Sequence, residues 1–248
     1  MIDVVVHGAQ GRMGRLLTAL VAAADDCRLA GLVTEPGRDA AVGEFHPELA
    51  LIGQDRMAAE LPAGCVIIDF SLAPALEGLL AQARELNAGL VSGTTGFSPA
   101  QQKKLAAFAQ ERAVLHASNF SIGIPALQML LQLLARTLPR GFDAEQVETH
   151  HITKVDRPSG TARHLAEAYR QVRPGQGEVP THSRRLGGII GEHTWTFSDA
   201  EETLELTHRA HSRQAFLRGV LPAVRFVSAA QPGLYSLTDV LQGLAAGC

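Results

Sequence analysis

A short apolar run, Ile2-Asp3-Val4-Val5-Val6-His7, breaks into Gly8-Ala9-Gln10-Gly11-Arg12-Met13-Gly14, and Met13, Leu16, Leu17, Leu20 and Val21 then recur at helical spacing. A strand, a glycine turn and an amphipathic helix in that order are the start of a βαβ unit. Glycines at such a turn let the backbone approach a pyrophosphate, which then sits on the helix N-terminus. The spacing is GxxGxxG rather than GxGxxG, so the motif alone is weak, and a structural strand-to-helix turn also explains it.

The pattern repeats downstream. Strands are expected at 28–34, 64–70, 89–93 and 113–117, with helices at 12–24, 72–87 and 98–112 between them. Residues 37–60 read as an irregular arm with a short helix. Alternation of this kind predicts an α/β, doubly wound parallel sheet with helices on both faces. After Phe120 the pattern changes to a long apolar helix at 123–138, a strand at 144–153, a helix at 159–172 and two strands at 183–197 and 202–209. Helices at 212–228 and 236–244 close the chain. The expected plan is a dinucleotide-binding domain, 1–120, to which 213–248 returns, and an α+β domain, 121–212, with a mixed open sheet, serving substrate binding and oligomerisation.

Bulk properties narrow the function. The net charge is −3, without the basic excess a nucleic-acid binder carries. Cys27, Cys65 and Cys248 form no CxxC pair, and Cys27 and Cys65 lie in apolar surroundings that suit buried free thiols. No run is long and apolar enough for a membrane span, and the N-terminus lacks a signal-peptide pattern, so a cytoplasmic location is expected. His193, His208 and His211 lack the clustered spacing of a metal site, and no metal is expected.

Three further stretches carry chemistry. Glu35 ends the second strand, about 20 residues after the glycine loop, where an acid meets an adenosine ribose. That placement favours NADH, while Arg12 and Arg38 offer charge for a 2′-phosphate, so the reading leans to NADH or to use of both NADH and NADPH. Gly93-Thr94-Thr95-Gly96-Phe97 and Ala117-Ser118-Asn119-Phe120 follow later strands, at the carboxyl edge where such sheets bind ligands. Ordinary loops account for them equally well. Arg185-Leu186-Gly187-Gly188 reads as a bulge or a close backbone approach inside a strand.

The densest cluster is His150-His151-Ile152-Thr153-Lys154-Val155-Asp156-Arg157-Pro158-Ser159-Gly160-Thr161. If the strand continues to residue 154, His150 and Lys154 share one face and His151 takes the other. Cations beside the N-terminus of the following helix suit a small anion, most simply a carboxylate. A solvated strand end followed by a helix cap fits the same residues.

Together GAQGRMG, DFS (69–71), GTTGF, SNFSIG (118–123), ETHHITKVDRPSGTA (148–162), RLGGIIGEHTWTF (185–197) and LTHRAHSRQAF (206–216) resemble the dihydrodipicolinate (4-hydroxy-tetrahydrodipicolinate) reductase family, in the family's order. The resemblance implies a Rossmann-type domain plus a substrate domain, commonly assembled as a homotetramer. It implies an oxidoreductase of lysine and diaminopimelate biosynthesis that reduces a dicarboxylate cyclic imine with NADH or NADPH. Gly8, Ala9, Gln10, Gly11, Arg12 and Met13 would hold the pyrophosphate and Glu35 the ribose. Gly93, Thr94 and Thr95, with Ala117, Ser118, Asn119 and Phe120, would hold the nicotinamide end. His150 would be the acid/base and Lys154 a second proton donor. His151, Lys154, Gly160 and Thr161 would bind the substrate carboxylates. Pro36 stands where many relatives carry an arginine after the acid, and Thr153 precedes Lys154 where relatives often carry a basic residue. Competing readings are a reductase of a related cyclic imine or amino-dicarboxylate, and a dinucleotide-sensing module without turnover.

Overall fold

The computed structural model describes residues 1–175 and 177–246. Its elements in chain order are β1 (Ile2–His7), α1 (Arg12–Ala22), β2 (Cys27–Thr34), β3 (Leu51–Gly53), α2 (Met57–Glu60), β4 (Val66–Asp69), α3 (Leu76–Glu85), β5 (Gly89–Ser92), α4 (Pro99–Phe108), β6 (Ala113–His116) and α5 (Gly123–Thr137). There follow β7 (Asp143–His150), α6 (Gly160–Val172), β8 (Thr181–Arg185), β9 (Gly191–Ser198), β10 (Thr203–Ala210), α7 (Val220–Ala229), β11 (Gly233–Tyr235) and α8 (Leu237–Ala246). The chain forms two compact units, Met1–Phe120 with the segment from Leu217 onward, and Ser121–Phe216.

The first unit is a seven-stranded sheet in the order β11-β6-β5-β4-β1-β2-β3, with every named pairing parallel. The α/β doubly wound expectation is met, and the strand order reverses between β1 and β4. Successive residues of β1 serve opposite faces. Val4 and Val6 pack with Leu17, Val21, Val224 and Val227 on one side, and Val5 joins Leu79, Leu105 and Phe108 on the other. Burial on both faces explains why these strands read as unbroken apolar runs. Each fully buried Val, Leu or Phe side chain contributes roughly 1.5–3 kcal/mol.

The second unit is a four-stranded sheet, β10-β9-β7-β8, in which β8 runs parallel to β7 and the other pairs are antiparallel. Its mixed character is the one expected. Helices α5 and α6 supply Leu127, Leu131, Leu165 and Tyr169 to a core completed by Trp195 and Phe197. Along β9 the buried Gly191, His193, Trp195 and Phe197 alternate with partly exposed residues, so one face carries the core.

Four local expectations are corrected. The single strand at 183–197 is two strands on opposite sides of β7; Gly187, at φ +50°, lies in the turn between them and is no bulge. Leu186, Ile189 and Ile190 imitate a continuing strand although they form that connection. The helix at 212–228 is a 3₁₀ turn at Arg213–Leu217 followed by α7. The arm at 37–60 contains β3, and β11 adds an edge strand beside β6; three residues are too few to show alternation. Finally, β7 ends at His150, so the shared-face argument for Lys154 fails: residues 152–153 turn, and the Lys154 N–H donates to His151 O at 3.1 Å. Cys27 and Cys65 are buried free thiols, and Cys248 lies outside the described residues.

Candidate active site

In the first unit a groove of about 690 Å³ opens at the carboxyl ends of β1, β2 and β4, where the strand order reverses. Gly8, Gln10, Gly11, Thr34 and Glu35 line it. Such a position is where doubly wound sheets bind dinucleotides. Gly8 has φ +78°, and a Cβ there would lie 2.8 Å from Phe70 O. A Cβ on Gly14 would lie 2.2 Å from Gly8 O, so its absence lets α1 start directly against the turn. Gly11, Arg12 and Gln10 are exposed, Ala9 is buried and Met13 packs against the core. Thr34 Oγ1 donates to Gln10 Oε1 at 3.0 Å, tying the loop to β2. The cradle therefore fits a dinucleotide, with bare backbone at the start of a helix and room above it.

Glu35 is exposed and forms an ion pair with Arg38 at 2.5 Å. Gly37, at φ +78°, supplies the turn, and the Arg38 N–H donates to Glu35 O at 3.3 Å. Beneath the groove Asp69 is buried, accepting from Ser71 Oγ at 2.6 Å and Ser92 Oγ at 2.9 Å and pairing with His7 Nδ1 at 2.8 Å. Burial alone would raise its pKa, yet the partners, His7 foremost, hold it below the usual carboxylate range. Its task is to fix the loop ends. Ser71 N donates in turn to Thr94 Oγ1 at 3.0 Å, and Thr94 O meets His116 Nε2 at 3.0 Å. Gly93 lies against the Phe70 ring, where a Cβ would come within 2.4 Å, while Thr95 is exposed. The Ala117 N–H donates to Ser92 O at 3.1 Å, and Phe120 packs on Phe70 with centroids 5.5 Å apart. Ser118 is exposed and Asn119 partly so. The two stretches expected at the nicotinamide end are thus joined around Ser71, Ser92 and Phe70.

In the second unit His150 ends β7 and is buried, with its Nδ1 on Glu148 Oε2. Glu148, two residues earlier on the same strand face, is fully buried. It faces Arg185 bidentately, Oε2 accepting from Nη1 at 3.0 Å and Oε1 from Nη2 at 2.9 Å. Oε1 also accepts the Ser159 N–H at 3.3 Å. Burial would raise the Glu148 pKa, but Arg185 and the other donors hold it down, so the group stays ionised. Burial pushes the His150 pKa below its ordinary value, with Lys154 and Arg185 adding to the fall and Glu148 opposing it. His193 stands edge-on to His150 at 5.3 Å, and burial, helped by His150 and His208, pushes its pKa down to about 3.

Lys154 pairs with Asp156 at 2.8 Å. Lys154 holds the Asp156 carboxyl below the usual range, with a smaller contribution from the Gly160 backbone N–H. Ser159 caps α6 through Ala162 N at 3.1 Å, leaving Gly160 exposed and Thr161 partly exposed in the first turn. His151 turns aside to Thr153 Oγ1 at 2.7 Å. The structure thus gathers His150, Lys154 and Gly160 with their supports and sets His151 on a separate hydrogen bond. Glu148, Asp156 and Arg185 support this cluster although no short motif singles them out as site residues. The detectable signal is an acid two places before His150, sharing its face of an extended strand.

A parallel sheet with a glycine cradle at its reversal point in one unit, and a histidine–lysine cluster in the other, are the parts that an oxidoreductase using a nicotinamide dinucleotide requires. The family models agree: "Dihydrodipicolinate reductase, N-terminus" matches residues 2–120, and "Dihydrodipicolinate reductase, C-terminus" matches residues 123–241. The 4-hydroxy-tetrahydrodipicolinate reductase of Nitrosomonas europaea is 36% identical, covering 97% of this chain and 98% of that protein. The protein of the same name from Stenotrophomonas maltophilia is 40% identical with the same coverage, 97% and 98%. The solved structure of dipicolinate-bound dihydrodipicolinate reductase from Paenisporosarcina sp. TG-14 gives a TM-score of 0.79 at 25% identity, over 95% of this chain and 97% of that one. The chain belongs to the dihydrodipicolinate reductase family.

Proposed function

We propose that this protein reduces 4-hydroxy-tetrahydrodipicolinate, or the dihydrodipicolinate formed from it, to tetrahydrodipicolinate in lysine and diaminopimelate biosynthesis. The observation that carries the reading is the carboxylate of Asp156, held by Lys154 Nζ and met by the Gly160 N–H beside a buried imidazole. That arrangement supports binding of a carboxylate, the charge a dicarboxylate substrate brings. The names and near-complete coverage of the relatives support the same substrate.

Bound nicotinamide supplies a hydride. The chain's own residues supply the rest. Gly8 to Met13 offer backbone N–H groups and the positive end of α1 to the pyrophosphate, and Glu35 accepts from the ribose. Gly93 to Thr95 and Ala117 to Phe120 hold the nicotinamide end. Gly160 and Thr161 bind one substrate carboxylate at the start of α6, assisted by Lys154 and His151. Reduction leaves electron density on the substrate ring that takes up a proton. With Nδ1 committed to Glu148, His150 Nε2 is the atom that delivers it. Lys154 stabilises the developing negative charge and stands as second donor.

For cofactor choice we favour NADH or dual use. The exposed Glu35 carboxylate suits a free ribose hydroxyl, and Arg38 beside it supplies a cation for a 2′-phosphate. The same family reading supports a homotetramer and a cytoplasmic location; among the described residues no helix is long and apolar enough to cross a membrane.

The test is oxidation of NADH and of NADPH by the purified protein with enzymatically generated 4-hydroxy-tetrahydrodipicolinate, against amino-dicarboxylates as alternatives. Turnover confined to amino-dicarboxylates, or cofactor binding without any oxidation, would replace this reading with a related reductase or a sensor. Lys154→Ala is expected to lose turnover and to raise the substrate KM, leaving the cofactor Kd within twofold. A change in cofactor Kd alone would remove Lys154 from the substrate site.

A further inference from the structure

All five N–H donors of Arg185 are committed. Nε donates to Lys154 O at 3.1 Å, Nη1 to Glu148 Oε2 at 3.0 Å and Arg184 O at 2.7 Å, and Nη2 to Glu148 Oε1 at 2.9 Å and Asp156 O at 2.5 Å. The guanidinium side chain is 1% exposed. Glu148 is equally committed: each oxygen meets Arg185, Oε2 also meets His150 Nδ1, and Oε1 also accepts the N–H of Ser159, the cap of α6. One buried ion pair therefore touches every part of the cluster. It reaches His150 through its ring, Lys154 and Asp156 through their carbonyls, and Gly160 and Thr161 through the cap before them.

We propose that the Glu148–Arg185 pair is the positioning device of this active site: it sets the tautomer and ring orientation of His150 and holds the Lys154 loop and the start of α6 in one geometry. The proposal rests on the reading that His150 exchanges a proton with substrate. Several features point to positioning rather than to simple stability. A planar five-donor fork matches a carboxylate and two loop carbonyls at once, which a lysine ammonium cannot reproduce. With Nδ1 donating to an ionised carboxylate, the neutral ring keeps its lone pair on Nε2. Gly191, opposite His150 in β9, would place a Cβ only 3.2 Å from that Nε2, so glycine there leaves the reacting nitrogen room. Glu148 is not a proton donor in this scheme, because Arg185 holds it ionised.

The charged and titratable groups around His150 are Glu148 on β7, Arg185 on β8, His193 on β9, and Lys154 in the loop. Of these, Glu148 is the one that favours the imidazolium. Its neutralisation must lower the His150 pKa, and the limb of the kcat profile that needs protonated His150 must move to lower pH.

The experiment labels the histidine ring nitrogens of the full-length protein and assigns His150 by its loss in His150→Gln. The wild type is expected to show the Nδ1–H tautomer when neutral. In Glu148→Gln the titration should shift down, with kcat reduced by roughly 10- to 10⁴-fold, from the loss of a partner that orients a metal-bound histidine to that of the carboxylate behind a catalytic one. Arg185→Lys should lower kcat and raise the substrate KM while the cofactor Kd holds. An Nε2–H tautomer of His150 in the wild type overturns the proposal whether or not the Glu148 and Arg185 variants fold. So does an unchanged titration and kcat in a folded Glu148→Gln. If His150→Gln itself keeps full turnover, the fault lies with the proton-transfer reading; if only Glu148→Gln keeps it, the fault lies with the positioning role.

Discussion

At the scale of single residues, histidines in the second unit differ because their surroundings differ. His150 has an ionised carboxylate on Nδ1, whereas the hydrogen-bond partner of His193 among the described residues is a serine hydroxyl, Ser159 Oγ, at 3.4 Å. Burial therefore dominates at His193 and drives its pKa to about 3. An unfolded histidine titrates near 6.5. Between those values the unfolded chain binds the extra proton, so stability falls as pH drops from about 6.5 towards 3 and levels off below. This one group contributes a slope of up to about 1.4 kcal/mol per pH unit. Urea unfolding at stepped pH should show the slope reduced in His193→Gln by up to one proton; an unaltered slope would mean that His193 is not held neutral. The residues legible in the sequence were those whose chemistry is local, such as the imidazole, the ammonium and the Ser159 cap. Arg185 was not, because the parallel pairing that sets it beside His150 spans 35 positions and no short-range pattern records it. Asp156 was hidden by a different effect: the turn at 152–153 replaced the expected strand and brought the acid back to Lys154.

At the scale of elements, the βα turn of the first unit is set by backbone clearance. Gly14 sits inside α1, yet a Cβ there would meet Gly8 O at 2.2 Å and Ala9 Cα at 2.7 Å, both backbone atoms that cannot rotate away. Gly37, by contrast, has open space around it. Gly14→Ala is expected to destabilise by about 1–3 kcal/mol, the usual range for an over-packed core, although alanine is intrinsically the better helix former. It should also weaken dinucleotide binding by displacing the loop. Thermal unfolding and a cofactor fluorescence titration check both, and a stabilised variant would show that α1 is free to move off the turn. The strands of the first unit are legible because both faces of its sheet are apolar, and helices such as α1 and α6 are legible because buried residues recur along one face. The three-residue β3 and β11 were not, since they are held by their neighbours' hydrogen bonds rather than by any pattern of their own. The turn at 186–190 differs from the expected strand because its apolar residues mimic one.

At the scale of the whole molecule, chemistry is divided between two units that each bury their own core. The cradle around Gly8, with Glu35, depends on the first, and the His150–Lys154 cluster depends on the second through Glu148 and Arg185. A change in one should leave the binding function of the other standing. The most direct measurement is therefore made on His150→Gln, assaying reduction of enzymatically generated 4-hydroxy-tetrahydrodipicolinate alongside NADH and NADPH binding. With His150 as the proton donor, kcat is expected to fall by about 10²- to 10⁴-fold, the usual contribution of a general acid, with cofactor Kd within twofold of wild type. Undiminished turnover would contradict that role.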